Sequence, residues 1–133
     1  MKKKPMKLRL DLEREEGLSR LEYELLNAVF NTRPEELSED KTIYFDISEI
    51  FPGHISDEVF SQIEQAIDLA LGITIYEYEE ENEDEHYKFI KIVGSAGYME
   101  DEKIIDLSIG KWASPYMAFV SSEGLKKIEK KTI

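Results

Sequence analysis

Hydrophobic positions along this chain switch between helical and strand periods, and each switch predicts an element. Over 18–31 they step by three and four, placing Leu21, Leu25, Ala28 and Val29 on one face. Ser19-Arg20-Leu21-Glu22 has the spacing of a capping box, in which the serine takes a first-turn N–H and the glutamate reaches back to the serine's own N–H. The polar run holding Pro34 predicts that this helix stops near Asn31. Over 42–47 the period becomes two: Ile43, Phe45 and Ile47 alternate with Thr42, Tyr44 and Asp46, a strand with one dry face. Residues 48–51 suit about one helical turn, and Pro52-Gly53 suits the centre of a type II turn. A second helix is predicted over 57–71, with Ser56 as N-cap and Asp57 and Glu58 facing the positive end of the helix dipole. Val59, Phe60, Ile63, Ala66, Ile67 and Ala70 form its apolar face, and Gly72 is expected to end it at positive φ.

Alternation returns over 73–79 and 87–93, two strands joined by the acidic run 79–85, whose plain reading is a solvated loop. A further strand or bulge follows at 94–98 and another strand at 103–109, so the sheet exceeds a minimal hairpin. Residues 111–120, with Trp112, Tyr116, Met117 and Phe119 around Pro115, read as a short helix or turn laying aromatics on the sheet, and 125–131 as a last helix. A helix, a turn, a capped helix and a hairpin in that order are the layout of a winged helix-turn-helix. The expected fold is therefore α+β: a winged helix with an extended antiparallel sheet and its helices on one side. Residues 18–121 form this domain. Residues 1–17 read as a basic arm with an extended piece at 7–12, and 122–133 as a basic tail or the start of a linker to a second domain.

Composition narrows the chemistry. The 133 residues fit one domain. There is no cysteine, hence no disulfide framework. The basic start lacks the apolar run of a signal peptide and no stretch is apolar enough to cross a bilayer, so the expected location is the cytoplasm, with no membrane partner. Net charge is −12, unevenly placed: residues 34–110 hold four basic against 21 acidic residues, a balance of −17. That middle repels phosphate. The second helix, where a groove reader needs Arg, Lys, Asn or Gln, has Asp57, Glu58, Glu64 and Asp68, with Gln62 and Gln65 as its base-reading types. DNA-backbone contacts are therefore expected from the basic ends: Lys2, Lys3, Lys4, Lys7 and Arg9 before the domain, Lys126, Lys127, Lys130 and Lys131 after it.

No catalytic or metal site and no cofactor is expected. His54 and His86 lie far apart in predicted turns without a metal-binding companion motif. Gly94-Ser95-Ala96-Gly97 lacks the nucleophile-elbow pattern, and Asp101-Glu102-Lys103 has an acid-x-lysine spacing that arises readily in so acidic a chain. The acidic run 79–85 lacks the order of an EF-hand loop. Because Ile104-Ile105 is apolar on both faces, the strands 87–93 and 103–109 are the expected dimer surface, with Phe89, Lys91, Ile104, Ile105, Leu107 and Ile109 as its residues. Trp112, Tyr116 and Phe119 read as core packing or as a partner surface.

The segment Leu18-Ser19-Arg20-Leu21-Glu22-Tyr23-Glu24-Leu25-Leu26, the strand-turn-helix of 43–72, the run Phe89-Ile90-Lys91-Ile92-Val93-Gly94-Ser95-Ala96-Gly97-Tyr98, the strand 104–109 and Trp112-Ala113-Ser114-Pro115-Tyr116 together resemble the amino-terminal winged-helix domain of bacterial plasmid replication initiators. The resemblance covers 17–121 and implies a non-catalytic DNA-replication protein. Such initiators bind origin repeats through tandem winged helices; the second reads the major groove, while the first dimerises in the inactive form and touches the DNA backbone. Implied partners are a second copy of the chain, origin DNA reached through a second domain or the basic ends, and host replication proteins. A stand-alone acidic winged-helix module that binds another protein is the alternative.

Overall fold

The computed structural model describes residues 6–79 and 87–129. The acidic run beyond Glu79, together with His86, Lys2, Lys3, Lys4, Lys130 and Lys131, lies outside the described residues.

Met6–Asp11 (β1) opens the fold, followed by the helix Arg20–Phe30 (α1), a 3-10 turn at Pro34–Leu37 and the strand Lys41–Asp46 (β2). Asp57–Leu71 (α2) leads into the strands Thr74–Glu79 (β3), Tyr87–Lys91 (β4), Val93–Met99 (β5) and Ile104–Ile109 (β6). A 3-10 turn at Lys111–Tyr116 runs straight into the helix Met117–Glu129 (α3).

Both helix starts form as their sequences dictate. The Ser19 hydroxyl accepts from the Glu22 N–H at 3.1 Å, and the Glu22 carboxylate accepts from the Ser19 N–H at 2.8 Å. Glu22 is buried, and the Arg14 guanidinium bonds its other oxygen, so the box is also an anchored charge. Ser56 caps α2 through the Val59 N–H at 3.2 Å. α1 stops at Phe30 with Asn31 as its C-cap, as expected, but the end of α2 differs. Gly72 has φ −82°, in the right-handed region. A Cβ added there would lie 2.7 Å from the side chain of Glu13, which is exposed and can move aside. Gly53 is likewise not at positive φ, so the Pro52-Gly53 pair is not a type II turn. Lys103 holds that turn instead: its ammonium donates to the carbonyls of Phe51, Pro52 and Gly53 at 3.4, 3.3 and 2.5 Å.

The fold is α+β, with two antiparallel three-stranded sheets where one extended sheet was expected. The first has the order β1-β3-β4, the second β2-β6-β5. The chain crosses between them at Ile92: Ile90, Ile92 and Val93 are all buried, so the alternation slips by one residue where the strand leaves one sheet for the other. The stretch 7–12 is thus part of the domain, paired from Met6↔Glu79 to Asp11↔Thr74. α1 packs on α2 and α3, α2 lies against β5, and α3 against β1. The core they share includes Leu10, Leu25, Phe30, Ile63, Ile75, Ile105, Leu107, Ile109 and Val120.

The last helix also differs. The separate short pieces expected at 111–120 and 125–131 are one 3-10 turn and one continuous helix. Pro115 falls in the 3-10 turn before α3 starts, and Gly124 is buried mid-helix where α3 meets the Phe30 ring.

Candidate nucleic-acid interface

The register of the first sheet sorts its side chains. Leu8, Leu10, Ile75 and Ile90 point inward with Glu77, whose carboxylate accepts from the Tyr116 hydroxyl at 2.9 Å. Burial, with the Glu77 carboxylate second, pushes the Tyr116 phenol above its ordinary pKa. The opposite face carries three rungs: Lys7↔Tyr78, Arg9↔Tyr76↔Phe89 and Asp11↔Thr74↔Lys91. On the middle rung the Arg9 guanidinium stands 4.5 Å from the centre of the Tyr76 ring, and Tyr76 meets Phe89 edge to face at 5.0 Å. Arg9 also pairs with Asp11 at 3.3 Å. On the third rung the Lys91 ammonium donates to the Thr74 hydroxyl at 2.7 Å, which donates in turn to the Gly72 carbonyl at 3.0 Å. Phe89 is 65% exposed. In a chain of net charge −12, this face sets Lys7, Arg9 and Lys91 against one acid, Asp11, among the described residues.

Four residues expected in two different roles therefore share one surface: Lys7 and Arg9, expected on an arm, and Phe89 and Lys91, expected in a dimer contact. Tyr76 and Tyr78 were not singled out from the sequence. Their alternation was the available signal, but which strand lies beside them is set by pairing across the whole chain.

The remaining expected residues are scattered. Lys126 and Lys127 lie in the last turn of α3, paired with Glu123 at 3.9 Å and Glu15 at 2.9 Å. Of the expected dimer residues, Ile105, Leu107 and Ile109 are fully buried in the core of the single chain, and β6 is the middle strand of its sheet, not an edge. Ile104 lies on the opposite face of that strand from Ile105. The strands at the sheet edges are β2 and β5 in one sheet, β1 and β4 in the other.

α2 turns its charged side to solvent, with Asp57, Glu58, Glu64 and Asp68 all exposed. A cleft of about 550 Å³ beside it, lined by Glu13, Glu22, Gln65 and Asp68, holds one cation, Arg14, already engaged by Glu22. Trp112 is half exposed; its ring crosses the chain beside Gly94 and Gly110, and its Nε1–H donates to the Lys91 carbonyl at 3.1 Å. A cleft of about 310 Å³ under that ring is lined by Asp40, Thr42, Ser95 and Ser108. Among the described residues no group of three or more His, Asp or Glu side chains is placed to hold a metal ion, and no helix is long and apolar enough to cross a membrane.

No family model, curated protein or solved structure matches this chain.

Proposed function

We propose that this chain is the non-catalytic amino-terminal winged-helix domain of a plasmid replication initiator, which pairs with a second copy and adds backbone contacts to origin DNA. The observation that carries the reading is the order of its elements: a boxed helix (α1), a strand (β2), a single turn at 48–50, a second capped helix (α2) and the β3–β4 hairpin as wing. In this reading β2 pairs with β6, and the wing carries β1 on its free side, an elaboration of the plain motif. The acids along α2 turn it away from the major groove, leaving duplex contact to the basic chain ends and to a second, groove-reading domain. Pairing of copies uses a sheet edge: β4, which carries the expected Phe89 and Lys91, is such an edge, and so is β2, whose exposure alternates regularly. Host replication proteins are the further partners of such a domain, and the cytoplasm is its location.

Sedimentation velocity tests the reading. The chain is expected to dimerise with rising concentration, and added duplex carrying origin repeats is expected to shift it toward DNA-bound monomers. A chain that stays monomeric at high micromolar concentration overturns the pairing. The exposed acids of α2 favour a second reading, a protein-binding module for a basic partner. Salt-sensitive binding of polylysine that is lost in Glu64→Gln/Asp68→Asn selects it.

A further inference from the structure

We infer that the outer face of the first sheet binds single-stranded nucleic acid, with unpaired bases stacking on Phe89 and Tyr76 and phosphates meeting Lys7, Arg9 and Lys91. This stands apart from the initiator reading, since it requires neither pairing of copies nor an origin sequence.

Charge, shape and chemistry point the same way. An aromatic 65% exposed at the centre of a sheet edge leaves apolar area in water that a stacked base would cover. Tyr76 and Phe89 are cross-strand neighbours, so their rings form a continuous strip across adjacent strands, roughly 5 Å apart as strand spacing dictates. From β1 the Arg9 guanidinium lies over the Tyr76 ring with Lys7 on the rung beside it, and Lys91 stands next to Phe89 along β4. Aromatic rings interleaved with cations are the makings of a single-strand platform: every base has a π-face, and the backbone follows the positive charge. A duplex keeps its base faces stacked inside, so it meets the lysines and arginine but not the rings. An acidic peptide likewise engages the cations and leaves Phe89 idle. The rest of the chain repels phosphate, so binding is weak at physiological salt and steepens as salt is lowered.

The experiment is a fluorescence-anisotropy titration of labelled oligothymidylate and oligouridylate at low salt with the full chain, with a duplex of matched length and polyglutamate as competitors. Expected are saturable binding to at least one oligonucleotide, weak competition by duplex, and a loss of about 5- to 150-fold in affinity for Phe89→Ala, the range for one stacked base. Arg9→Ala weakens binding as well, with a shallower salt dependence. Tyr44→Ala, which removes an aromatic 66% exposed on the other sheet, leaves affinity unchanged. Far-UV circular dichroism confirms that each variant is folded. Preference for oligothymidylate or oligouridylate identifies the ligand as DNA or RNA, and either supports the proposal. No binding to either, duplex bound as tightly as single strands, or full affinity retained by Phe89→Ala overturns it. Equal competition by polyglutamate with no effect of Phe89→Ala identifies an acidic-peptide site and overturns it too.

Discussion

Replacing Gly124 by alanine places one methyl group against a ring that has nowhere to go. The added Cβ would lie 2.6 Å from Phe30 Cδ1 and Cγ and 2.7 Å from Cδ2. Carbon atoms in contact prefer about 3.5–4.0 Å, so the overlap is about 1 Å with several ring atoms at once. Phe30 is fully buried between α1 and α3, so relief requires the two helices to part or the ring to leave its rotamer. Overpacking of this kind costs about 1–3 kcal/mol, and the size of the overlap argues for the upper half of that range. Against it stands a gain of about 1 kcal/mol from alanine's better helix propensity. The net expectation is a loss of about 1–2 kcal/mol, a fall in Tm of roughly 4–8 °C for a chain of this size. Urea unfolding followed by far-UV circular dichroism measures it, with the m-value unchanged. Trimming the ring supplies the control: in a Phe30→Leu background, Gly124→Ala is expected to cost less than in the parent by about 1 kcal/mol, a coupling typical of residues in contact. The reasoning fails if Gly124→Ala stabilises the protein by about 1 kcal/mol, as on a solvent-facing helix.

Removing the box at α1 with Ser19→Ala is expected to cost about 1 kcal/mol, read by the same urea melt, because the Glu22 N–H loses its acceptor while the Glu22 carboxylate stays buried. Neighbours on β6 are expected to diverge: Ile105→Ala, at the core, loses about 2–5 kcal/mol, and Ile104→Ala, on the other face, loses far less; equal losses would contradict the assigned faces. Alkaline pH is expected to weaken the fold through Tyr98 and Tyr116. Burial raises both phenols above the ordinary value of 10.0, with Glu100 adding for Tyr98 and Glu77 for Tyr116. Their stabilising contribution is complete below that value and lost as pH rises through the folded pKa, so ultraviolet titration should show phenols ionising late and together with unfolding.

Local features were readable from the sequence and long-range ones were not. Ser19 with Glu22, and Ser56 with Asp57 and Glu58, announce the helix starts because caps are satisfied within one turn. The strands of β2, β3 and β6 show in their alternation for the same reason. Partner choice is different: nothing within 6–11 says that it pairs with 74–79, so this stretch read as an arm with a short extended piece. Ile104 beside Ile105 looked like an open edge because both faces of the strand are apolar, yet β6 is flanked on both sides and its inner residues fill the core. Pro115 made the stretch before the last helix look irregular, and it falls in the 3-10 turn that precedes α3. The cation and aromatic strip was the least legible, since Arg9, Tyr76 and Phe89 meet only once the strands of three distant segments are aligned.

The chain's single tryptophan stands at the bend where β4 becomes β5, tethered to the Lys91 carbonyl. Its emission is therefore a built-in gauge of that joint. A ligand that merely settles on the first sheet leaves the indole's surroundings as they are, while any rearrangement that swings one sheet against the other releases the tether and wets the ring. A colour shift without a label would tell the two apart.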